Sequence, residues 1–69
     1  MSPDEFKQVR RRLRLTQIDF AELVGVRSDR TVRRWEEGTK EIPGPVELLV
    51  ELMLEVPEVL DYLDLELDD

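Results

Sequence analysis

The three glycines and four prolines divide the chain into short segments. They stand at Pro3, Gly25, Gly38, Pro43, Gly44, Pro45 and Pro57. Glycine and proline are both unfavourable inside a helix, so each of these positions favours a helix end or a helix start. Between them, apolar residues recur every three or four positions, which is helical spacing. The sequence therefore predicts an all-α fold, a compact bundle of four or five short helices.

Capping signals support this division. Ser2 and Glu5 have the spacing of a capping box that opens helix 1. Thr16 with Asp19 opens helix 2 in the same way, although aspartate is the weaker partner. Gly25 suits the left-handed position that ends a helix. Helix 3 then begins at a cap on residue 28 or 29 and ends before residue 38.

The C-terminal part is predicted to contain two more helices. Pro45 opens helix 4, "PVELLVELMLE", and Pro57 interrupts it. A short helix 5, "PEVLDYL", and an acidic tail, "DLELDD", follow. We expect residues 1–56 to form the main domain and residues 57–69 to add this helix and tail.

Several classes of function are excluded by composition. The chain has 69 residues and contains neither cysteine nor histidine, which excludes disulfides, cysteine or histidine zinc sites and histidine-based catalysis. We predict no metal site, no cofactor and no enzymatic activity. Apolar runs are far shorter than the about 20 residues that span a membrane, and no secretory signal is evident. We therefore expect a cytoplasmic protein with no membrane partner.

Charge is distributed unevenly along the chain. Residues 1–40 contain all ten basic residues and seven acids, a balance of +3, whereas residues 41–69 contain ten acids and no base, a balance of −10. The net charge of −7 therefore hides a basic part. Such a division suggests two surfaces with different partners.

Helix 3 combines two apolar residues with an arginine cluster. At about 100° per residue, Val32 and Trp35 fall on one side of the helix, and Arg30, Arg33 and Arg34 fall on the opposite side. This outward surface has two interpretations: a solvated charged face, or a surface that binds phosphate and bases. Helix 2, a tight turn and helix 3 together have the order of a helix-turn-helix, which favours the second interpretation.

The segments "LTQIDFAELVGV" and "TVRRWEEG" resemble the Cro/lambda-repressor-like (XRE-like) family of helix-turn-helix DNA-binding domains. The matching residues are Gln17, Ala21, Gly25, Val26, Val32, Trp35, Glu36 and Gly38. The resemblance covers about residues 4–55, with the motif at about 16–37. It implies a lambda-repressor-like fold with a central helix-turn-helix whose helix 3 enters the DNA major groove.

The resemblance and the chemistry of the neighbouring residues predict the DNA contacts. The predicted positions are Gln17, Arg27, Ser28, Asp29, Arg30, Thr31, Arg33, Arg34 and Lys40. The resemblance implies that Gln17 contacts the DNA backbone, while an arginine facing the bases pairs with guanine. Asp29 either accepts from a cytosine, orients a neighbouring arginine or favours the helix N-terminus, and we prefer the last two roles. Thr31 and Lys40 either reach phosphates or have no partner.

Two departures from the family pattern bear on this prediction. The turn is one residue longer than the common spacing, and Arg27 is the expected extra residue, which shifts the first base contact by one position. Ile18 and Leu23 are apolar where the family is usually polar. They either cover the core, which we favour, or contact a partner. On helix 1, the arginines either flank the duplex or pair with acids; they are Arg10, Arg11, Arg12 and Arg14.

Helix 4 is apolar on more than one face, whereas a surface helix needs one apolar stripe. We expect the excess to form a homodimer interface. The residues predicted there are Leu49, Leu52, Met53, Val56 and Leu60. The alternative is that helix 5 covers this face within one chain.

The function predicted from these patterns is sequence-specific binding of double-stranded DNA by a small transcriptional regulator, a repressor of bacterial or phage origin that binds a palindromic operator. The alternative is a protein-interaction module, antitoxin-like or an adaptor, that acts through its acidic C-terminal helices. Salt dependence of DNA affinity distinguishes the two functions.

Overall fold

A computed structural model describes residues 1–68, and Asp69, predicted to belong to the acidic tail, lies outside the described residues. Five α helices and no strand occur in residues 1–68. They are α1 (Pro3–Arg12), α2 (Gln17–Val24), α3 (Asp29–Glu37), α4 (Gly44–Glu55) and α5 (Pro57–Leu63). The predicted all-α bundle of short helices is confirmed. Within the described residues, no helix is long and apolar enough to cross a membrane.

The predicted helix starts are formed by local hydrogen bonds. The Ser2 hydroxyl oxygen accepts from the backbone N–H of Glu5 at 3.1 Å. At α2, Thr16 and Asp19 form both hydrogen bonds of a capping box. Helix α4 begins at Gly44, one residue before the predicted start. Pro45 is compatible with this, because the first-turn N–H that proline lacks has no partner within the helix.

The core is built around three aromatic rings. Phe6 of α1 contacts Phe20 of α2 at a centroid distance of 5.0 Å and Trp35 of α3 at 5.8 Å, and both pairs are edge-to-face. Such geometry suits the charge distribution of aromatic rings. Val32 and Val50 are buried beside them. The three N-terminal helices and α4 therefore share one hydrophobic core.

The structure corrects part of the predicted dimer interface. Met53 is only 1% exposed and belongs to the core of the chain, so its predicted place on a dimer surface is wrong. Leu49 and Leu60 are half-buried and pack against the same core. Leu60 belongs to α5, so for this residue the packing within one chain that we gave as the alternative to a dimer is observed. Leu52 stays exposed and Val56 half-buried, and the homodimer itself stays a prediction.

The two apolar residues of α2 that depart from the family pattern behave differently. Leu23 is half-buried and packs against the core, as expected. Ile18 is 58% exposed, so the expectation that it covers the core is wrong. It extends into solvent because it lies on the side of α2 away from Phe20 and Ala21, which are buried.

The segment after α5 returns to α1. Asp64 adopts a left-handed conformation with φ of 58°, which ends α5 and reverses the chain. Leu65 and Leu67 then pack against the core. The backbone N–H of Asp68 donates to the carbonyl oxygen of Arg12 at 2.7 Å. The acidic tail is therefore attached to the basic end of α1, a contact that the sequence did not indicate.

Candidate nucleic-acid interface

The turn between α2 and α3 is formed by a glycine-ended helix. Gly25 has a φ of 77°, in the left-handed region that glycine adopts without a steric penalty. Its N–H donates to Glu22, and the N–H of Val26 donates to Ala21, which is the Schellman pattern of helix termination. The buried side chain of Ala21 is small enough for α2 and α3 to pack closely. The two helices thus form one packed unit joined by residues 25–28.

Helix α3 starts at a cap that the sequence placed at residue 28 or 29. The Ser28 hydroxyl oxygen accepts from the backbone N–H of Arg30 at 3.1 Å, so Ser28 is the N-cap and Asp29 is the first helical residue. An acidic residue in the first turn is favourable for the helix dipole. At the other end, Gly38 with a φ of 79° terminates the helix.

The two faces of α3 have opposite character. Val32 and Trp35 are almost completely buried, and they hold the helix on the core. Arg30, Arg33 and Arg34 are exposed. The separation predicted from helical periodicity is confirmed. The arginine face, defined as these three residues, presents three guanidinium groups to solvent on a nine-residue helix.

Asp29 forms an ion pair on this face. Its Oδ2 accepts from Nη2 of Arg33 at 3.2 Å, and both side chains remain partly exposed. Orientation of an arginine was one of the roles predicted for this aspartate. Since an exposed ion pair is weak, Asp29 restricts the Arg33 side chain without withdrawing it from a ligand.

The remaining predicted contact residues surround α3. Arg27 is exposed in the turn, and Lys40 is exposed in the loop after the helix. The backbone N–H groups of Thr39 and Lys40 both donate to the carbonyl oxygen of Arg34, which keeps this loop close to the helix end. Thr31 is half-buried. All of these lie within or next to the α3 segment, and their DNA contacts stay predictions.

Glu36 is at the centre of a buried polar network. Nε and Nη2 of Arg10 donate to its two carboxylate oxygens at 2.6 and 3.1 Å. These side chains are only 10% and 4% exposed. Nη1 of Arg10 also donates to the carbonyl oxygen of Leu15 at 2.8 Å. A two-point guanidinium–carboxylate pair of this kind fixes orientation as well as distance.

Gln17 joins the same network from the start of α2. Its Nε2 donates to Oε1 of Glu36 at 3.2 Å. The residue predicted to contact the DNA backbone is thus held against α3 by a side-chain hydrogen bond. The network connects α1, α2 and α3, and it includes the residue predicted to contact the DNA backbone.

The pairing of Arg10 with Glu36 is not predicted by the sequence. The sequence leaves Arg10 ambiguous between DNA and an acid, and it gives Glu36 only as one of the residues that match the helix-turn-helix pattern. A signal is present in helix 1, since Arg10 lies four residues after Phe6 and hence on the apolar side. The partner is not predictable, because the two residues are 26 positions apart in the sequence.

Other kinds of site are not formed by the described residues. Within residues 1–68, no group of three or more His, Cys, Asp or Glu side chains could hold a metal ion. A concavity of about 410 Å³ beside α3 is lined by Met1, Pro3 and Trp35 among others. There the N-terminal ammonium donates to Oε1 of Glu47 at 3.0 Å, which raises its pKa above the ordinary value through that hydrogen bond. The space is wide open and contains this internal ion pair, so it does not compete with the α3 surface as a candidate site.

No protein-family model, no curated protein and no solved structure matches the chain. Support for a function therefore comes from the residues of the chain itself and from the resemblance of the α2–α3 segment.

Proposed function

We propose that this protein is a sequence-specific binder of double-stranded DNA that regulates transcription, with α3 in the major groove. The observation that carries this proposal is the arginine face. Three exposed guanidinium groups project from one side of a helix whose other side is buried and whose start is capped. The finer assignment is a small repressor of bacterial or phage origin that acts in the cytoplasm.

The dimensions of α3 support the proposal. Nine residues make a helix about 13 Å long, and its diameter with side chains of about 10–12 Å fits the major groove, which is about 12 Å wide. Arginine is the side chain that pairs most often with guanine there, through two parallel hydrogen bonds. The acids of α3 do not cancel its basic charge. Glu36 is buried against Arg10, and Asp29 and the exposed Glu37 are two acids against the three guanidinium groups of the arginine face.

Contacts to the DNA backbone complete the proposed interface. Gln17 lies at the N-terminus of α2, where a side-chain amide and the helix dipole both favour a phosphate. Arg27 and Lys40 are exposed on either side of α3. In this proposal they bind phosphates and set the register, whereas Arg30 and Arg33 select bases.

The first prediction concerns salt dependence. The affinity for a mixed-sequence duplex should fall steeply between 50 and 200 mM salt, by about a factor of 10³ if six phosphates are contacted. Fluorescence anisotropy with a labelled duplex measures this directly. Selection of bound sequences from a random pool at the same salt then identifies the operator. Absence of binding to any duplex at low salt would contradict the proposed function.

The second prediction concerns Arg33. Arg33→Ala should weaken binding to the selected operator by about 1–3 kcal/mol and relax the preference at a single base pair. Glu37→Ala is the control for base preference, since Glu37 is exposed on the same helix and removing its negative charge should change affinity for all sequences alike. Selection with each variant reveals which base loses its preference. An equal loss on every sequence would reassign Arg33 to a phosphate contact.

A second function, in protein association, is favoured by exposed apolar residues of the acidic half. Leu48 is 56% exposed and Tyr62 is 89% exposed, and Leu52 is exposed one turn after Leu48. In a two-fold homodimer through α4, two copies of α3 would lie about 34 Å apart and the operator would be palindromic. A non-palindromic operator with a monomer in analytical ultracentrifugation would favour a different protein partner for this surface.

A further inference from the structure

The basic end of α1 is already bound to an anion. Nε of Arg14 donates to Oδ2 of Asp68 at 2.6 Å, and Nε of Arg12 donates to the backbone carbonyl oxygen of the same residue at 2.8 Å. The Asp68 N–H returns a hydrogen bond to the Arg12 carbonyl oxygen at 2.7 Å. One acidic residue of the tail thus engages two arginines.

We propose that Arg12 and Arg14 form a further phosphodiester-binding site, in which the Asp68 carboxylate occupies the place of a DNA phosphate while the protein is free. This inference rests on the proposed DNA binding and assigns a role to residues outside the helix-turn-helix. The partner chemistry is a phosphate of the nucleic-acid backbone, and the tail is its internal competitor.

The contact has the chemistry that such an exchange needs. Guanidinium groups bind carboxylates and phosphates through the same N–H donors. The Arg14 and Asp68 side chains are 78% and 49% exposed, so a phosphate can approach from solvent. An exposed ion pair is weak, and hence a polyanion displaces it readily. In contrast, Arg10 is buried against Glu36 and is not available for this role.

The site is close to the proposed backbone contact of α2. Arg14 precedes Gln17 by three residues, a span of about 11 Å at full extension. The Leu15 carbonyl oxygen between them is fixed by Arg10, whose guanidinium also binds Glu36 on α3. The end of α1, the start of α2 and the end of α3 therefore meet at this corner. In this proposal, a strand that contacts Gln17 also presents a neighbouring phosphate to Arg14.

Apolar packing holds the tail in place in addition to the ion pair. Leu65 and Leu67 pack against the core on either side of Glu66. This packing keeps the tail in place even when Asp68 releases Arg14, and the Glu66 carboxylate remains close enough to Arg14 to interact with its charge. We expect the tail to reduce binding to every DNA sequence, because the site contacts only the backbone.

The test is a double-mutant cycle on Asp68 and Arg14. Asp68→Asn should raise the affinity for a mixed-sequence duplex by about two- to fivefold at low salt, since an exposed ion pair is weak. It should also steepen the salt dependence by about one phosphate equivalent. Arg14→Gln should weaken binding uniformly, and in its background Asp68→Asn should have little effect. The matched control is Glu55→Gln, which removes the same charge from an exposed residue of α4.

The possible results distinguish a failure of this inference from a failure of the proposed function. If the unaltered protein binds duplex DNA but Asp68→Asn binds no tighter than Glu55→Gln, the inference is overturned and DNA binding stands. The inference is also overturned if Asp68→Asn gives its full gain in the Arg14→Gln background, because the effect is then one of total charge. If the unaltered protein binds no duplex, the proposed function and this inference both fail.

Discussion

Replacing Trp35 with alanine is expected to unfold most of the protein. Truncating a buried tryptophan removes about 3–5 kcal/mol of stability, and a core of this size supplies only about that much in total. Trp35 is 1% exposed and contacts Phe6, so the cavity would open between α1 and α3. Urea denaturation followed by circular dichroism measures the change without depending on tryptophan fluorescence.

Two further variants make the Trp35 prediction specific. The Trp35 Nε1 atom is buried without a hydrogen-bond partner among the described residues, so Trp35→Phe loses packing but no hydrogen bond and should be clearly milder than Trp35→Ala. Tyr62→Ala removes an exposed aromatic ring and should change stability by less than about 0.5 kcal/mol. An alanine variant at residue 35 that unfolds at the same urea concentration as the unaltered protein would contradict the assigned core.

Removing the Glu36 carboxylate is the second change with a large expected effect. Glu36→Ala should destabilise the protein by about 3–5 kcal/mol, because breaking a buried pair leaves the Arg10 charge without compensation. The distances of 2.6 and 3.1 Å and the burial of both side chains place this pair in that class. The measurement is again the free energy of unfolding in urea.

The source of this loss can be identified by a compensating change. Replacing both partners, as in Arg10→Met with Glu36→Leu, should recover much of the stability, because no buried charge is left unpaired. Asp29→Ala breaks an exposed pair on the same helix and should cost no more than about 1 kcal/mol. If Glu36→Ala costs as little as Asp29→Ala, the network does not hold the three helices as described.

Structural features that depend on a few neighbouring residues were predicted correctly from the sequence. The caps at Ser2 and Thr16, the left-handed Gly25 and the two faces of α3 each follow from residues within a few positions of one another. Backbone hydrogen bonding and helical periodicity act at this range, so the amino-acid sequence contains the whole signal. The start of α4 was one residue off because glycine and proline suit a first turn as well as a preceding loop.

Features that depend on distant contacts were not predictable. Helix α4 presents apolar residues on several sides, and only the folded chain shows that Met53, rather than Leu48 or Leu52, faces the core. Arg10 and Glu36 pair across 26 positions, and Asp68 reaches Arg14 across 54. In a sequence with 17 acidic residues, each arginine has many possible carboxylate partners. Only the fold determines which of them lies close enough to pair.

The network of Arg10, Glu36 and Gln17 has a consequence for the thermodynamics of association. It fixes the start of α2 against the end of α3 before any ligand is present, so the entropy of ordering these two helices is already lost in folding. Under the proposed function, binding would then resemble the docking of rigid bodies. A duplex whose groove width and curvature match this fixed pair of helices would be preferred over one that must be deformed, and DNA shape would add to selectivity beyond the bases that the arginines contact.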